Sequence, residues 1–335
     1  MATPVAAPAV WTGQGVRIAD VAQHLRELRA EAGDEPSSTR TSVMNLVAWV
    51  PNQTDAGDVE AVADSLREHH PSRAIIIVPA DGSDRIDARV ETMSSVAHGS
   101  SCTLLFEQIV LTLHGAIAAH AGSAVIPLLR SELPTYLWWP TAPDPSSPTF
   151  LELVRVADRV VTETGRSLRG REALSRLAAV TANSPAPVTD LAWAILTPWR
   201  QVLSTSLRGE ALAAVRGGPA SVTITCPGSE PTLEALLLGG WLADTLEDHV
   251  GDTFALGAGS EDILGVKIDV QGTCVVELVR DDADHHVTLR TVAGGPRSLP
   301  LPPPNRRELL AGELELRGHD RPLERALVNA MRLVQ

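Results

Sequence analysis

The chain is poor in lysine. Of its 28 basic residues, all but Lys267 are arginine. A phosphate-cradling P-loop needs Gly-Lys-Ser/Thr, and Lys267 lies in Gly265-Val266-Lys267-Ile268, which excludes that chemistry. A Schiff base would have to use this one residue, beside Asp269 in a strand-like run. Cysteine is scarce as well. Cys102, Cys226 and Cys274 form no Cys-x-x-Cys pair, which argues against a disulfide framework or a zinc knuckle and fits a reducing, cytoplasmic setting. Residues 1–11 have no basic opening, and Pro4 and Pro8 interrupt the apolar stretch, so no signal peptide is expected. The longest run without Asp, Glu, Lys or Arg covers residues 108–129. It carries His114, Gly115, His120, Gly122 and Pro127, and reads as a buried strand followed by a buried helix, not a membrane span. Positive charge is in deficit: 28 basic against 41 acidic residues give a net charge of −13. Such a chain repels phosphate backbones and anionic lipid, so neither nucleic acid nor membrane is an expected partner. The acid is concentrated in residues 244–284, where 11 carboxylates face only Lys267 and Arg280.

Catalytic signatures are missing too. Gly13-x-Gly15 and Gly257-x-Gly259 each lack the third glycine of a dinucleotide fingerprint and follow no convincing strand. There is no Gly-x-Ser-x-Gly elbow and no His-Glu-x-x-His. His114 and His120 are six residues apart, which does not place a chelating pair on one helix face. Asp281-Asp282-x-Asp284-His285-His286 is a metal candidate on paper, and a solvated hairpin turn is the plainer reading. Carboxylate pairs such as Glu60/Asp64 and Glu313/Glu315 are as common as in any acidic chain. No catalytic residue, metal ligand or cofactor is assigned.

What is present is enough to fold. Of the residues, 44% are apolar and 21% charged, an ordinary globular balance, and 335 residues suggest two domains. Apolar spacing predicts helices over residues 16–31, 55–70, 116–129 (with a break near Gly122), 150–154, 167–181, 190–206 and 230–249. The helix over 190–206 would be capped by Asp190 and split or kinked at Pro198. Strands are predicted over 42–50, 73–78, 85–96, 101–113, 135–139, 158–162 and 221–226. The strand–helix–strand order over 42–78 is a βαβ unit with a parallel pair. Residues 264–270, 273–280 and 285–292 read as an antiparallel meander, residues 296–304 as a proline-rich tract, and 306–335 as two helices broken near Gly318 and Pro322. The class is therefore α/β in two domains. Residues 1–182 hold the βαβ unit and a mixed sheet, and 183–335 an antiparallel meander flanked by helices.

The tryptophans carry the sharpest signal. Seven of the 11 aromatic residues are Trp, and four fall in two proline-flanked groups: Trp138-Trp139-Pro140 and Trp193 with Pro198-Trp199-Arg200. Neighbours on a strand point to opposite faces, so one of Trp138 and Trp139 packs inward and the other is exposed or covered. Trp and Arg are enriched at interface hot spots, whereas Trp is also highly buried on average. Contact surface and core plug both remain open.

At these residues the sequence resembles the glucose-6-phosphate dehydrogenase assembly protein family, OpcA. Thr41-Ser42-Val43-Met44-Asn45-Leu46-Val47 is similar to the family's opening strand block. His70-Pro71-Ser72-Arg73-Ala74 and Glu107-Gln108-Ile109 are similar to the next two. Pro127-Leu128-Leu129 with Leu133-Pro134-Thr135-Tyr136-Leu137-Trp138-Trp139-Pro140 resembles a fourth, and Asp190-Leu191-Ala192-Trp193 with Leu196-Thr197-Pro198-Trp199-Arg200 a fifth. The blocks run in order from about residue 40 to residue 200. Phe106 stands where the family often has Cys, Ile195 where it has Arg, and Glu132 where it has Asp. Thiol-based redox control, attributed to some cyanobacterial members, therefore has no residue at position 106, although Cys102 lies four residues earlier.

The resemblance implies a non-enzymatic cytoplasmic protein that binds glucose-6-phosphate dehydrogenase and promotes its active oligomer in the oxidative pentose phosphate pathway. Trp138, Trp139, Pro140, Trp193, Trp199 and Arg200 would form the partner-binding surface or its buttress, with Glu132 and Asp190 as helper groups. The alternative is a sugar-phosphate enzyme, or a metabolite-sensing regulator. There Arg166, Arg169 and Arg171 would grip phosphate at a helix start over 165–170, a stretch that also reads as a solvated first turn.

Overall fold

In the computed structural model the described residues are 3–4, 8–31, 42–67, 70–96, 103–246, 250–259, 262–281, 285–292, 294–303 and 305–334. They form an α/β chain with two mixed sheets. It packs as two compact units. Residues 1–162, 183–188 and 310–318 make the first, and residues 163–182, 189–309 and 319–335 the second.

The first unit contains β1 (Thr3–Pro4), β2 (Ala9–Gly13), α1 (Ile18–Glu31), β3 (Met44–Trp49), α2 (Gln53–Leu66), β4 (Ser72–Ala80), β5 (Arg85–Val96), β6 (Thr103–His114), α3 (Ala121–Val125), β7 (Thr135–Trp139), α4 (Pro148–Val154) and β8 (Arg159–Thr162). With β9 (Val188–Asp190) the sheet order is β1-β5-β6-β4-β3-β7-β8-β9, and β2 pairs with β5. The expected βαβ unit is β3-α2-β4, parallel from Met44↔Ser72 to Trp49↔Ile77. The pairs β4–β6, β3–β7 and β7–β8 are parallel as well, while β5 and β6 form a long antiparallel hairpin. Ile75, Ile76, Ile77 and Val78 are buried. A strand apolar on both faces belongs in the middle of a covered sheet.

The helical segment read over 116–129, with its break near Gly122, is a chain of short turns: 3-10 turns at Gly115–His120 and Ile126–Leu128 flank the short α3. Gly115 sits at φ +66°, outside helical geometry. Gly122 lies so close to Glu152 that a Cβ would meet that side chain at 3.0 Å. Pro127 has no N–H to continue the ladder. The segment is only partly buried.

The second unit contains α5 (Thr164–Ser167), α6 (Gly170–Asn183), α7 (Leu191–Ile195), α8 (Thr197–Ser206), α9 (Glu210–Arg216), β10 (Ala220–Pro227), α10 (Leu233–Thr245), β11 (Val250–Gly257), β12 (Gly265–Val270), β13 (Thr273–Asp281), β14 (His286–Thr291), β15 (Gly294–Pro300), α11 (Arg306–Glu315) and α12 (Arg321–Leu333). Both α6 and α11 run across a unit boundary. The sheet order is β11-β10-β12-β13-β14-β15. The predicted meander is β12-β13-β14, antiparallel throughout. The proline-rich tract is mostly the edge strand β15, where Pro296 lies at the sheet margin. Gly240 lets α10 approach α12, since a Cβ there would collide with the Ala326 carbonyl oxygen.

The first unit also holds a buried charge. Glu107 on β6 is fully buried, and its Oε2 accepts from Arg73 Nε on β4 at 2.8 Å. Arg29 Nε lies 3.2 Å from Oε1, and Arg73 Nη1 donates to the Leu128 carbonyl at 2.6 Å. Removing one partner strands the other charge in the core. The Glu107→Ala variant is therefore expected to lose about 3–5 kcal/mol of unfolding free energy, read by urea denaturation.

Candidate functional site

The parallel strands run β6-β4-β3-β7-β8, and the chain passes to opposite sides of β3 to reach β4 and β7. In open α/β sheets the crevice outside the carboxyl ends of strands at such a reversal is the usual ligand position. Here β3 and β7 both end in tryptophan. The rings of Trp49 and Trp139 stack at 5.4 Å, and Phe150 of α4 meets Trp139 edge-on at 5.3 Å. Trp138 is 0% and Trp139 6% exposed, so the second indole of the pair is covered, and Trp49 and Phe150 pack against it. Trp49 itself is half-buried.

The turn from β3 to α2 is Val50-Pro51-Asn52, without a glycine. Asn52 caps α2 by accepting from the Asp55 N–H, and Asp55 adds negative charge to the first turn. One N–H of this helix N-terminus is therefore already taken, and the Asp55 charge makes it unfavourable to phosphate. Toward β4 an open space of about 620 Å³ remains, lined by Asn52, Asp81, His114 and Gly115 among others.

The loop before β7 is held from below by Asn45, which is fully buried. Its Nδ2 donates to the carbonyls of Arg130 and Leu133 at 3.0 and 3.2 Å, and its Oδ1 accepts from Arg130 N–H at 3.0 Å. That loop presents Glu132 to solvent, bonded to Arg130 Nε at 3.2 Å. Its own backbone N–H, and then Arg130, hold the Glu132 carboxyl below the usual range. Pro140 is buried.

The other motif residues lie in the second unit. Asp190 is fully buried; Oδ1 caps α7 at the Ala192 N–H (2.9 Å) and Oδ2 accepts from the Thr164 N–H (2.8 Å). The expected 190–206 helix is accordingly capped by Asp190 and split at Leu196, with Pro198 in the first turn of α8. Trp193 is buried, and its indole N–H donates to Asp320 at 2.9 Å. Asp320 also caps α12 through the Leu323 N–H. The Arg200 guanidinium lies 3.7 Å from the Trp193 ring centre and bonds Thr197. Such a cation–π contact contributes about 0.5–1 kcal/mol at a half-exposed site. Trp199 is buried against a cavity of about 230 Å³ whose lining includes Ile195, Ile263, Leu301 and Arg280.

Of the arginines of the phosphate reading, Arg166 meets a carboxylate. Arg166 lies 4.0 Å from Glu163, which Arg306 already grips through both oxygens. A Cβ on Gly165 would sit 3.5 Å from Glu234, and one on Gly170 would collide with Glu230. The histidines have local partners: His114 bonds Asp87 at 3.0 Å, and His120 bonds Glu152 at 3.2 Å. Asp281 pairs with His286 across the strand end, while Asp282, Asp284 and Cys102 lie outside the described residues. Among the described residues no group of three His, Cys, Asp or Glu could hold a metal ion, and no helix is long and apolar enough to cross a membrane.

Sequence reasoning missed Trp49. Its signal was the last residue of the predicted strand before Pro51, on the neighbour of the double-tryptophan strand. It also missed Glu234, a buried acid in α10. Burial, then the Asp262 charge and, more weakly, Asp190, pushes the Glu234 carboxyl up to about 8 against partial relief from Arg169. The folded state thus keeps a proton on Glu234 between about pH 4.5 and pH 8 that the unfolded chain releases. Stability should fall through that window by up to roughly 1 kcal/mol per pH unit. Glu234→Gln is expected to flatten the slope, measured by denaturant titration at pH 5 and pH 8. An unchanged slope would remove Glu234 as its source.

Two family models cover most of the chain. The one described as glucose-6-phosphate dehydrogenase subunit N-terminal domain matches residues 63–179, and the one described as its C-terminal domain matches 186–327. A protein of Nostoc punctiforme that bears the name OxPP cycle protein OpcA is 30% identical over 189 residues. The alignment covers 56% of this chain and 40% of that protein's length. Among solved structures, an NAD binding oxidoreductase from Klebsiella pneumoniae aligns at 10% identity and TM-score 0.43, over 88% of this chain and 96% of that one. The UDP-N-acetylglucosamine 3-dehydrogenase GnnA of Acidithiobacillus ferrooxidans aligns at 9% and 0.40, over 87% and 96%. Similarity at that level carries no argument about activity. By the two domain matches, in the order and region where the motif blocks fall, this chain belongs to the OpcA family of glucose-6-phosphate dehydrogenase assembly proteins.

Proposed function

We propose that the chain binds glucose-6-phosphate dehydrogenase and promotes its active oligomer in the oxidative pentose phosphate pathway, in the cytoplasm, without catalysing a reaction itself. The observation that carries this reading is the tryptophan stack at the strand reversal. The position where an α/β enzyme takes its ligand is packed with indole on the β7 side and lacks a phosphate-binding turn. A partner shifts an oligomer equilibrium only by binding one state better than the other.

Within the proposed surface the exposed groups make contact and the buried ones support them. Glu132 and Arg200 reach solvent and would touch the dehydrogenase. Trp138, Trp139, Pro140, Trp193, Trp199 and Asp190 would act as the buttress. The division into domains at 182/183 is proposed on the same footing and falls between the two matched stretches. The sugar-phosphate alternative is disfavoured by Glu163 and Glu230 beside the 165–170 segment.

Mixing the purified chain with its cognate dehydrogenase should give co-elution and raised dehydrogenase activity. Neither effect over a wide concentration range would end the proposal. The charge reversals Glu132→Arg and Arg200→Glu should each weaken association roughly tenfold. Glu132→Arg should leave Tm nearly unchanged, because a rim charge acts mainly on encounter. Arg200→Glu also loses the Trp193 contact and should lower Tm by about 2–4 °C. Calorimetry with glucose 6-phosphate on the chain alone should show no tight binding.

A further inference from the structure

The six-stranded sheet of the second unit has two unlike faces. One is apolar: Val222, Ile224, Val266, Ile268, Val276 and Leu278 are buried, and Gly239 of α10 packs against Ile224 and Phe254. The opposite face carries Ser221, Thr223 and Thr225 on β10, Lys267 and Asp269 on β12, Glu277 and Val279 on β13, and Thr288 and Arg290 on β14. The cross-strand register aligns Thr223, Lys267, Glu277 and Arg290 in one row. The Lys267 side chain is 45% exposed, that of Arg290 60%, and Val279 45%.

Three features of this face point to its occupant. It is close to electrically balanced in a chain of net charge −13: Lys267 pairs with Asp269 at 2.9 Å and Arg290 with Glu277 at 2.8 Å, and Asp281, opposite His286, adds one further acid. Two acidic copies repel one another least where the local charge cancels. The row is also self-complementary. The sheet order β11-β10-β12-β13-β14-β15 has its midline between β12 and β13. A two-fold axis along that midline lays all six strands over all six. It sets Lys267 opposite Glu277 of the partner subunit, twice over, as an isologous interface requires. Finally the size suits. Six strands spaced about 4.8 Å apart, with about six residues each at roughly 3.3 Å, span about 500 Å² in projection and more in accessible surface. That is the scale of the roughly 800 Å² per partner in a stable pair. The small Ser and Thr side chains suit aligned sheets packed about 10 Å apart.

We propose that the polar face of β10-β12-β13-β14 pairs with the same face of a second copy of this chain, with Lys267 and Glu277 forming reciprocal contacts across the two-fold axis. The pairing does not rest on the dehydrogenase being the partner. The purified full chain, studied alone by sedimentation velocity across the micromolar range, should form a concentration-dependent dimer. Added salt should strengthen it by screening the remaining acidic repulsion. Lys267→Glu sets acid against acid, and Glu277→Lys sets base against base. Each variant alone is expected to weaken the dimer roughly tenfold or more. Mixed in equal amounts the two should pair again, because both contacts are then opposite in sign. Val279→Asp, at an exposed position, is a second disruptive change, with circular dichroism confirming its fold. A wild-type chain that stays monomeric overturns the proposal. So does a dimer indifferent to all three variants, or a mixture that fails to pair while each variant remains folded. If Val279→Asp abolishes dehydrogenase binding while the chain alone is monomeric, the face belongs to the dehydrogenase and self-pairing is refuted.

Discussion

Stacked indoles at the ends of two parallel strands set the character of the first unit. Trp49 closes β3, Trp139 closes β7, and Phe150 packs edge-on to complete the group. Aromatic contacts of this kind contribute about 0.5–1.5 kcal/mol each beyond their buried area. More important is where they lie. A doubly wound sheet brings its strand ends together at the reversal of strand order, and a ligand pocket there needs space and free backbone donors. In this chain the indoles take up space on one side, and Asn52 takes one donor of α2 for its cap, with Asp55 adding negative charge beside it. An architecture that often carries chemistry is here packed with aromatic rings on its β7 side, and the open space lies toward β4.

The motif residues have a shared structural logic. Arg73 and Glu107, from blocks 34 positions apart, meet in the core and pin the end of the 126–128 turn through the Leu128 carbonyl. Asn45 ties the loop bearing Glu132 to the start of β7. Asp190 and Asp320 each satisfy a helix N-terminus while bonding a second group, the Thr164 N–H and the Trp193 indole respectively. Buried polar groups are costly unless fully paired, so each of these permits few substitutions. Such motifs preserve a surface by fixing the backbone beneath it, which is how buried tryptophans can matter to an interface they do not reach.

Much of this was legible in the sequence where the signal was local. Ile75 to Val78 read as a covered strand, Asp190 as the cap of a helix, and Pro198 as the point where that helix kinks or splits; the structure splits it. Less legible were elements defined by distant partners. β11 is paired in parallel with β10, and no alternation marks it. β15 is a strand because β14 offers it an edge, in spite of Gly294, Gly295 and Pro296. The 115–128 segment has helical composition, but Gly115 and the close approach of Glu152 at Gly122 prevent a continuous helix. At the site, the double tryptophan was visible. Its covering by Trp49 depended on β3 and β7 being neighbours, which no local pattern encodes.

The central claim is that the strand-end crevice of the first unit, packed with indole on its β7 side, does not receive a dinucleotide. Titrating the purified chain with NADP⁺ and NADPH, following tryptophan fluorescence, tests it most directly, since Trp49 and Trp139 would report any ligand entering between the strands. The account predicts no saturable change up to millimolar cofactor. Saturable quenching that Trp49→Ala abolishes would contradict it.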